Sequence, residues 1–162
     1  DMAACQRYLS KAGAIADHCL AADPRSNEVS FFCGTPGYLA LHVAIAAVSG
    51  DTSKVDKHWN ALISWGSKAV HHPEDELLFG RAGFLYALLW AQAVCKAEGV
   101  AFGASAVDLD RTLAAVAEKL IATGQSIASR YHKDWPLMWY CFDEPYIGAA
   151  HGVVGVLSML LH

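Results

Sequence analysis

The chain has 162 residues and a net charge of -4, with its Lys and Arg residues scattered. That length suits one domain, or a piece of one, with a real core, and the charge pattern excludes a protein that tracks nucleic-acid phosphates. Hydrophobic residues make up 54% against 17% charged, yet no uninterrupted apolar run reaches the roughly 20 residues that span a bilayer, so no transmembrane segment is expected.

Residues 2–21 carry Cys5, Tyr8, Leu9, Ala12, Ile15, Ala16, Cys19 and Leu20 at three- and four-residue intervals, the stripe of an amphipathic helix. Ala22-Asp23-Pro24-Arg25-Ser26-Asn27 stops it, because proline disfavours helical geometry in the residue before it. Val29-Ser30-Phe31-Phe32-Cys33 reads as an extended entry to a helix over 36–48, with Pro36 suited to its first turn. Ser49-Gly50-Asp51 ends that helix. A single amphipathic helix over 54–70 follows, apolar through Val55, Trp59, Leu62, Ile63, Ala69 and Val70, and closed by His71-His72-Pro73. Phe84-Leu85-Tyr86-Ala87-Leu88-Leu89-Trp90 is apolar on every face, which requires cover all round. After a loop over 99–105, Asp108 sits near the positive end of a long amphipathic helix marked by Leu113, Val116, Leu120, Ile127 and Tyr131. Residues 132–145 form a loop rich in aromatic side chains. A last apolar run opens at Tyr146-Ile147-Gly148-Ala149-Ala150-His151-Gly152-Val153-Val154-Gly155.

Three G-x-x-G motifs punctuate this order: Gly34-Thr35-Pro36-Gly37, Gly80-Arg81-Ala82-Gly83 and Gly152-Val153-Val154-Gly155. Each stands between an amphipathic helix and an apolar one. Helical hairpins whose second members need cover on all sides predict an all-α fold in two concentric layers, with the apolar helices inside. Three hairpins make an arc rather than a ring, with apolar flanks at its ends for more chain or a partner to close. The start at Asp1 and the finish inside an apolar run at His162 both read as cut ends. Five cysteines, far apart and without a C-x-x-C pair, point to a reducing compartment and away from a disulfide framework or a zinc ribbon. The amino end has no secretory-signal pattern.

Ser30-Phe31-Phe32-Cys33-Gly34-x-x-Gly37, the run from Glu76-Leu77-Leu78-Phe79-Gly80-Arg81-Ala82-Gly83 to Leu89, and Pro136-Leu137-Met138 leading to Tyr146-Ile147-Gly148-Ala149-Ala150-His151-Gly152 come in a recognisable order. Together they resemble the eukaryotic LanC-like family, relatives of the bacterial lantibiotic cyclases. The resemblance implies an α/α toroid, of which residues 1–162 supply about half. It implies a zinc site built from a Cys and a later Cys-His pair, both beyond His162, so no metal ligand is expected in this chain. It also implies that zinc activates a thiol, glutathione's in eukaryotic members, for addition to the dehydroalanine or dehydrobutyrine of a peptide or protein. Cytoplasm is the compartment expected. One departure stands out: relatives carry an acidic residue just after Leu-Met-Tyr, where this chain has Trp139-Tyr140-Cys141 after Met138.

His151 matches the family's active-site histidine, which implies acid/base or enolate-stabilising work; spacing alone leaves it a hydrogen-bonded core histidine. Gly80, Gly83 and Gly152, at the starts of apolar helices, either expose N–H groups to a bound carboxylate or thiolate, or simply permit close packing. Arg81 either pairs with a glutathione carboxylate or braces a loop carbonyl or Glu76. His71-His72 reads as a solvated helix end and His42 as a satisfied core residue. Asp143-Glu144 reads as an exposed pair. Trp135, Trp139 and Tyr140 rim a peptide cleft or fold back on the core, and Cys33 reads as buried packing. The parent protein is thus expected to be a zinc-dependent thiol-adding enzyme or a glutathione-binding protein; the alternative is a non-catalytic structural or assembly subunit, or a scaffold.

Overall fold

The computed structural model describes residues 2–22, 27–101, 105–131 and 134–162. Parts of the expected loops, Asp23 to Ser26, Phe102 to Ala104 and His132 with Lys133, lie outside the described residues. Among the described residues all regular structure is helical: α1 (Met2–Ala22), α2 (Thr35–Val48), α3 (Thr52–Ser64), α4 (Gly66–His71), α5 (Arg81–Ala97), α6 (Ser105–Tyr131) and α7 (Val153–Leu160).

The helices form two layers. Inner α2 packs on inner α5, and α5 on inner α7; α1 and α3 cover α2, while α6 covers α3, α4 and α5. This is the arc of an α/α toroid. The core follows from the sequence: Leu39, Val43 and Ala47 of α2 meet Phe84, Leu88 and Ala91 of α5, and Val55, Trp59, Leu62, Val116 and Leu120 close over them from the outer layer. No helix among the described residues is long and apolar enough to cross a membrane.

Two sequence expectations needed correction. The helix expected over 54–70 is two, sharing Trp65 as the end of one and the cap of the next. The break sits beside Gly66, where a methyl group would lie 2.6 Å from Thr112 Cγ2, so α6 approaches the backbone there at a distance only glycine allows. The apolar stripe of α1 is only half used. Ala16 is buried, but Tyr8 and Ile15 are exposed, because α1 packs mainly on α2 among the described residues. α7 exposes Val154 and Leu157, and Tyr86, Leu89, Trp90 and Met159, with Gln92, Lys96 and His162, line a cavity of about 690 Å³ beside α5.

All three G-x-x-G loops repeat one geometry. A Cβ on Gly34, Gly80 or Gly152 would overlap the carbonyl six residues upstream, Glu28, Glu74 and Tyr146 respectively. A Cβ on Gly37, Gly83 or Gly155 would do the same to Phe31, Leu77 and Ala149. Each loop is folded onto the start of its own helix. The loops also join one another: Phe31 N–H donates to Gly83 O at 3.0 Å, Ser30 Oγ to Leu78 O at 2.5 Å, and Leu77 and Leu78 N–H to Ala150 O at 3.2 and 3.3 Å.

This close packing makes Gly37→Ala destabilising by about 1–3 kcal/mol, the usual cost of forcing extra volume into a packed site. Gly148, which has no neighbour within 4 Å of an added Cβ, is expected to tolerate alanine within about 0.5 kcal/mol. Urea midpoints of the two variants check the contrast; equal midpoints would show that the loop yields.

Candidate active site

Glu76 lies in the second loop, four residues before Gly80, and its side chain is buried. Oε1 accepts from the N–H groups of Phe79 and Gly80, and Oε2 from that of Leu78 at 2.8 Å. Near the start of α5, these amides and the helix dipole stabilise a carboxylate without a salt bridge. Oε2 also lies 3.0 Å from His151 Nδ1 in the third loop, 75 residues on. An oxygen already receiving a backbone proton acts here as acceptor, so Nδ1 donates and carries the imidazole proton. Nε2 is then left with the lone pair.

His151 is about one third exposed, its side-chain exposure being 34%. Its ring is stacked with Phe79 at 5.9 Å between centroids, and Phe142 and Tyr146 tilt towards it at 6.3 and 6.2 Å. Three aromatic rings thus neighbour an imidazole that stays about one third open to solvent. Cys141 completes the group, with Sγ 3.6 Å from His151 Nδ1. Burial pushes its thiol up, and the charges of Glu76 and Glu74 add to the effect. Cys141 is delivered by a two-residue turn: its N–H and carbonyl pair with Glu144 at 3.0 Å each, and Phe142 and Asp143 between them have φ of 51° and 62°. Positive φ at both central positions is the type I′ arrangement, here without glycine at either.

The remaining sequence-selected residues take packing or bracing positions. Arg81 is buried, its Nη1 donating to the buried Asp75 carboxylate and its Nε and Nη2 to Val70 O at 3.4 and 3.3 Å. The expected bracing partners, a loop carbonyl or Glu76, are both replaced: the carbonyl is that of Val70 in the last turn of α4, and the carboxylate is that of Asp75. All three nitrogens are engaged inside, and the side chain is buried, which is the bracing arrangement. Burial pushes the Asp75 carboxyl up to about 6 even with Arg81 beside it. The helix-start amides are also occupied: Gly80 N–H by Glu76, Arg81 and Ala82 N–H by Glu74 and Asp75 carbonyls, and Val153 and Val154 N–H by Tyr146 and Ile147 carbonyls. A Cβ on Gly80, Gly83 or Gly152 would overlap the backbone of its own loop, so the close-packing requirement is met at all three.

Elsewhere, Trp139 folds back on the core, with Nε1 donating to Leu120 O at 2.9 Å and its ring against Gly124. Tyr140 stacks on Tyr131, and Trp135 stays exposed. His42 is buried with Nε2 3.2 Å from Asp17 Oδ1, although without hydrogen-bond alignment. His71 turns to Ser67 O while His72 faces Glu28, so the two do not converge. Asp143 and Glu144 are exposed. Cys33 corrects its expectation: it is exposed, because its N–H is held by Ser30 Oγ in a turn that aims the side chain outward.

Sequence reasoning passed over Glu76 and Cys141. For Glu76 a signal existed: aligning the three loops on their glycines sets Ser30 and Glu76 at the same place, both turn-forming polar residues that accept amide protons of their own loop. Cys141 had none, since its approach depends on a turn that holds two non-glycine residues at positive φ.

A two-layered arc of helical hairpins with a carboxylate-bound histidine at its loop end defines a toroid-type protein with an acid/base-capable centre. The sequence profile of the lanthionine synthetase C-like proteins matches residues 2–162, and the chain belongs to this family. It is 28% identical over 138 residues to the glutathione S-transferase LANCL1 of Danio rerio, covering 82% of this chain and 32% of that protein. It is 29% identical over 146 residues to the LanC-like protein GCL1 of Arabidopsis thaliana, covering 85% of this chain and 32% of that protein. The chain thus spans about a third of the length of these relatives.

The Asp75–Arg81 pair is separable from the histidine centre. Asp75→Ala leaves a buried guanidinium without its partner and is expected to cost about 3–5 kcal/mol in denaturant unfolding. Arg81→Gln should likewise lower stability, with any heat of glutathione addition in a calorimeter the same for variant and wild type. Weakened glutathione binding at undiminished stability would restore Arg81 to a ligand role.

Proposed function

We propose that the protein adds a thiol, glutathione's, to dehydroamino-acid residues, with His151 as the acid/base group and Glu76 as the residue that positions it. The observation that carries this reading is the 3.0 Å contact between His151 Nδ1 and the buried Glu76 carboxylate. Membership of the family and the glutathione transferase name of the Danio rerio relative support the substrate class.

By holding the Nδ1 proton, Glu76 fixes one tautomer and orients the ring, so that Nε2 is the working atom. As sulfur bonds to the β-carbon of the dehydroamino acid, the carbon–carbon π pair moves to the α-carbon. Nε2 accepts the proton leaving the thiol and returns it to that α-carbon, which balances the addition. The imidazolium formed between these transfers is stabilised by Glu76, and Phe79, Phe142 and Tyr146 hold its surroundings apolar.

Zinc, where the family uses it, lowers the pKa of a bound thiol. The donor set implied for it, a Cys with a Cys-His pair, is not met among the described residues, where the one cluster of ligand-type side chains holds a single cysteine. No step above depends on it. The exposed apolar flank of α7 supports a further element of the reading: the arc is completed by the other half of a toroid or by a partner chain. The same flank favours the second reading, a non-catalytic assembly subunit, which predicts no turnover at all.

In the complete protein, His151→Ala is expected to lower the rate of glutathione addition to a dehydroalanine peptide by about 10²–10⁴-fold, the usual contribution of a general acid/base. Glu76→Gln should fall between this variant and the wild type. Mass spectrometry of the adduct reads the rate; a folded His151→Ala protein with undiminished turnover would remove His151 from the reaction.

A further inference from the structure

We propose that Glu76, Cys141 and His151 form a binding site for one divalent ion of the zinc class, distinct in its donors from the Cys and Cys-His set that the family resemblance implies. The three ligand atoms lie within 4.8 Å of one another, with Sγ to Nδ1 at 3.6 Å and Nδ1 to Oε2 at 3.0 Å. Zinc bond lengths of about 2.3 Å to sulfur and about 2.0–2.2 Å to nitrogen and oxygen, at tetrahedral angles, give ligand-to-ligand edges of about 3.3–3.6 Å. Two edges of the cluster already match within a few tenths of an ångström. The third, between Cys141 and Glu76, is within 4.8 Å.

Donor chemistry selects the ion. One thiolate, one imidazole and one carboxylate suit a borderline-soft cation; calcium and magnesium require oxygen donors throughout. Electrostatics favour a cation as well, because Glu76 is buried and, among the described residues, has no Lys or Arg partner. Its companion Asp75 in the same loop does have one. Glu76 and Cys141 are each about 1% exposed, whereas His151 opens to solvent. Two of the three ligands are therefore buried, and the site is reached from solvent on the His151 side.

Binding is a ligand exchange without redox change. The Cys141 thiol releases its proton to solvent as the sulfur–metal bond forms. The imidazole proton moves from Nδ1 to Nε2, freeing Nδ1 for the metal. The occupied site thus turns Nε2 from a proton acceptor into a donor, so the ion and the acid/base role of His151 exclude each other. Metal occupancy would hold the centre in an off state.

Titrating the metal-free, reduced protein with Co²⁺ tests this without any turnover, so the result stands apart from the fate of the thiol-addition reading. The expected outcome is a thiolate-to-cobalt charge-transfer band, with Cys141→Ser and His151→Ala each binding one equivalent fewer than the wild type. Cys33→Ser, which removes an exposed thiol, should bind as the wild type does. Circular dichroism checks that each variant is folded; if Cys141→Ser is not, the partly exposed His151→Ala carries the test. Unchanged stoichiometry and spectrum in either folded variant, or loss of the band in Cys33→Ser alone, overturns the proposal.

Discussion

The structure around the loop end of the arc depends on one buried carboxylate. Removing Glu76 from water is costly unless its charge is satisfied, and a buried ionised carboxylate without partners would shift to its neutral form. Three amides of its own loop and the imidazole of another loop meet that requirement. The same four contacts fix the turn that starts α5, hold the third loop against the second and set the tautomer of His151. Folding and chemistry here share a single constraint, so the site cannot be loosened without loosening the helix start beneath it.

That constraint operates inside a repeated frame. Each glycine of the three motifs brings a helix start onto a carbonyl six residues upstream, and the loops then bond across to their neighbours. Glycine at a helix start raises two expectations that compete for the same atoms: amides offered to a ligand, and amides buried against the chain. Here the chain takes them. What remains for a ligand is side-chain chemistry, and among the loop residues this converges on His151.

Periodicity in the sequence was sufficient for the layered helical fold because burial on one face or on all faces leaves a direct imprint on residue order. It could not show the break at Trp65, since the cause is the approach of α6 to Gly66 from 46 residues away in sequence. Nor could it divide the α1 stripe into buried and exposed halves, which depends on how many neighbours an edge helix has. The motif drew His151 out of the sequence, and its neighbours Glu76 and Cys141 came only with the structure. Glu76 was legible only as a possible partner of Arg81, and the structure pairs each of the two elsewhere.

Cys141 shows most sharply why local sequence falls short. It follows the position at which the chain departs from the acidic residue expected after Leu-Met-Tyr, and in isolation it is one dispersed cysteine among five. Its place is fixed by Trp139, which anchors the segment to α6 through Leu120 O, and by a turn that keeps Phe142 and Asp143 at positive φ. Such residues hold that conformation only where the surroundings over-determine it. The anchoring tryptophan on one side and the rings around His151 on the other supply that determination. The turn leaves the thiol beside the one imidazole nitrogen that Glu76 also holds. A proton or a metal ion can occupy the space between these three atoms, but not both, and His151 can therefore accept a proton at Nε2 only while that space holds the proton.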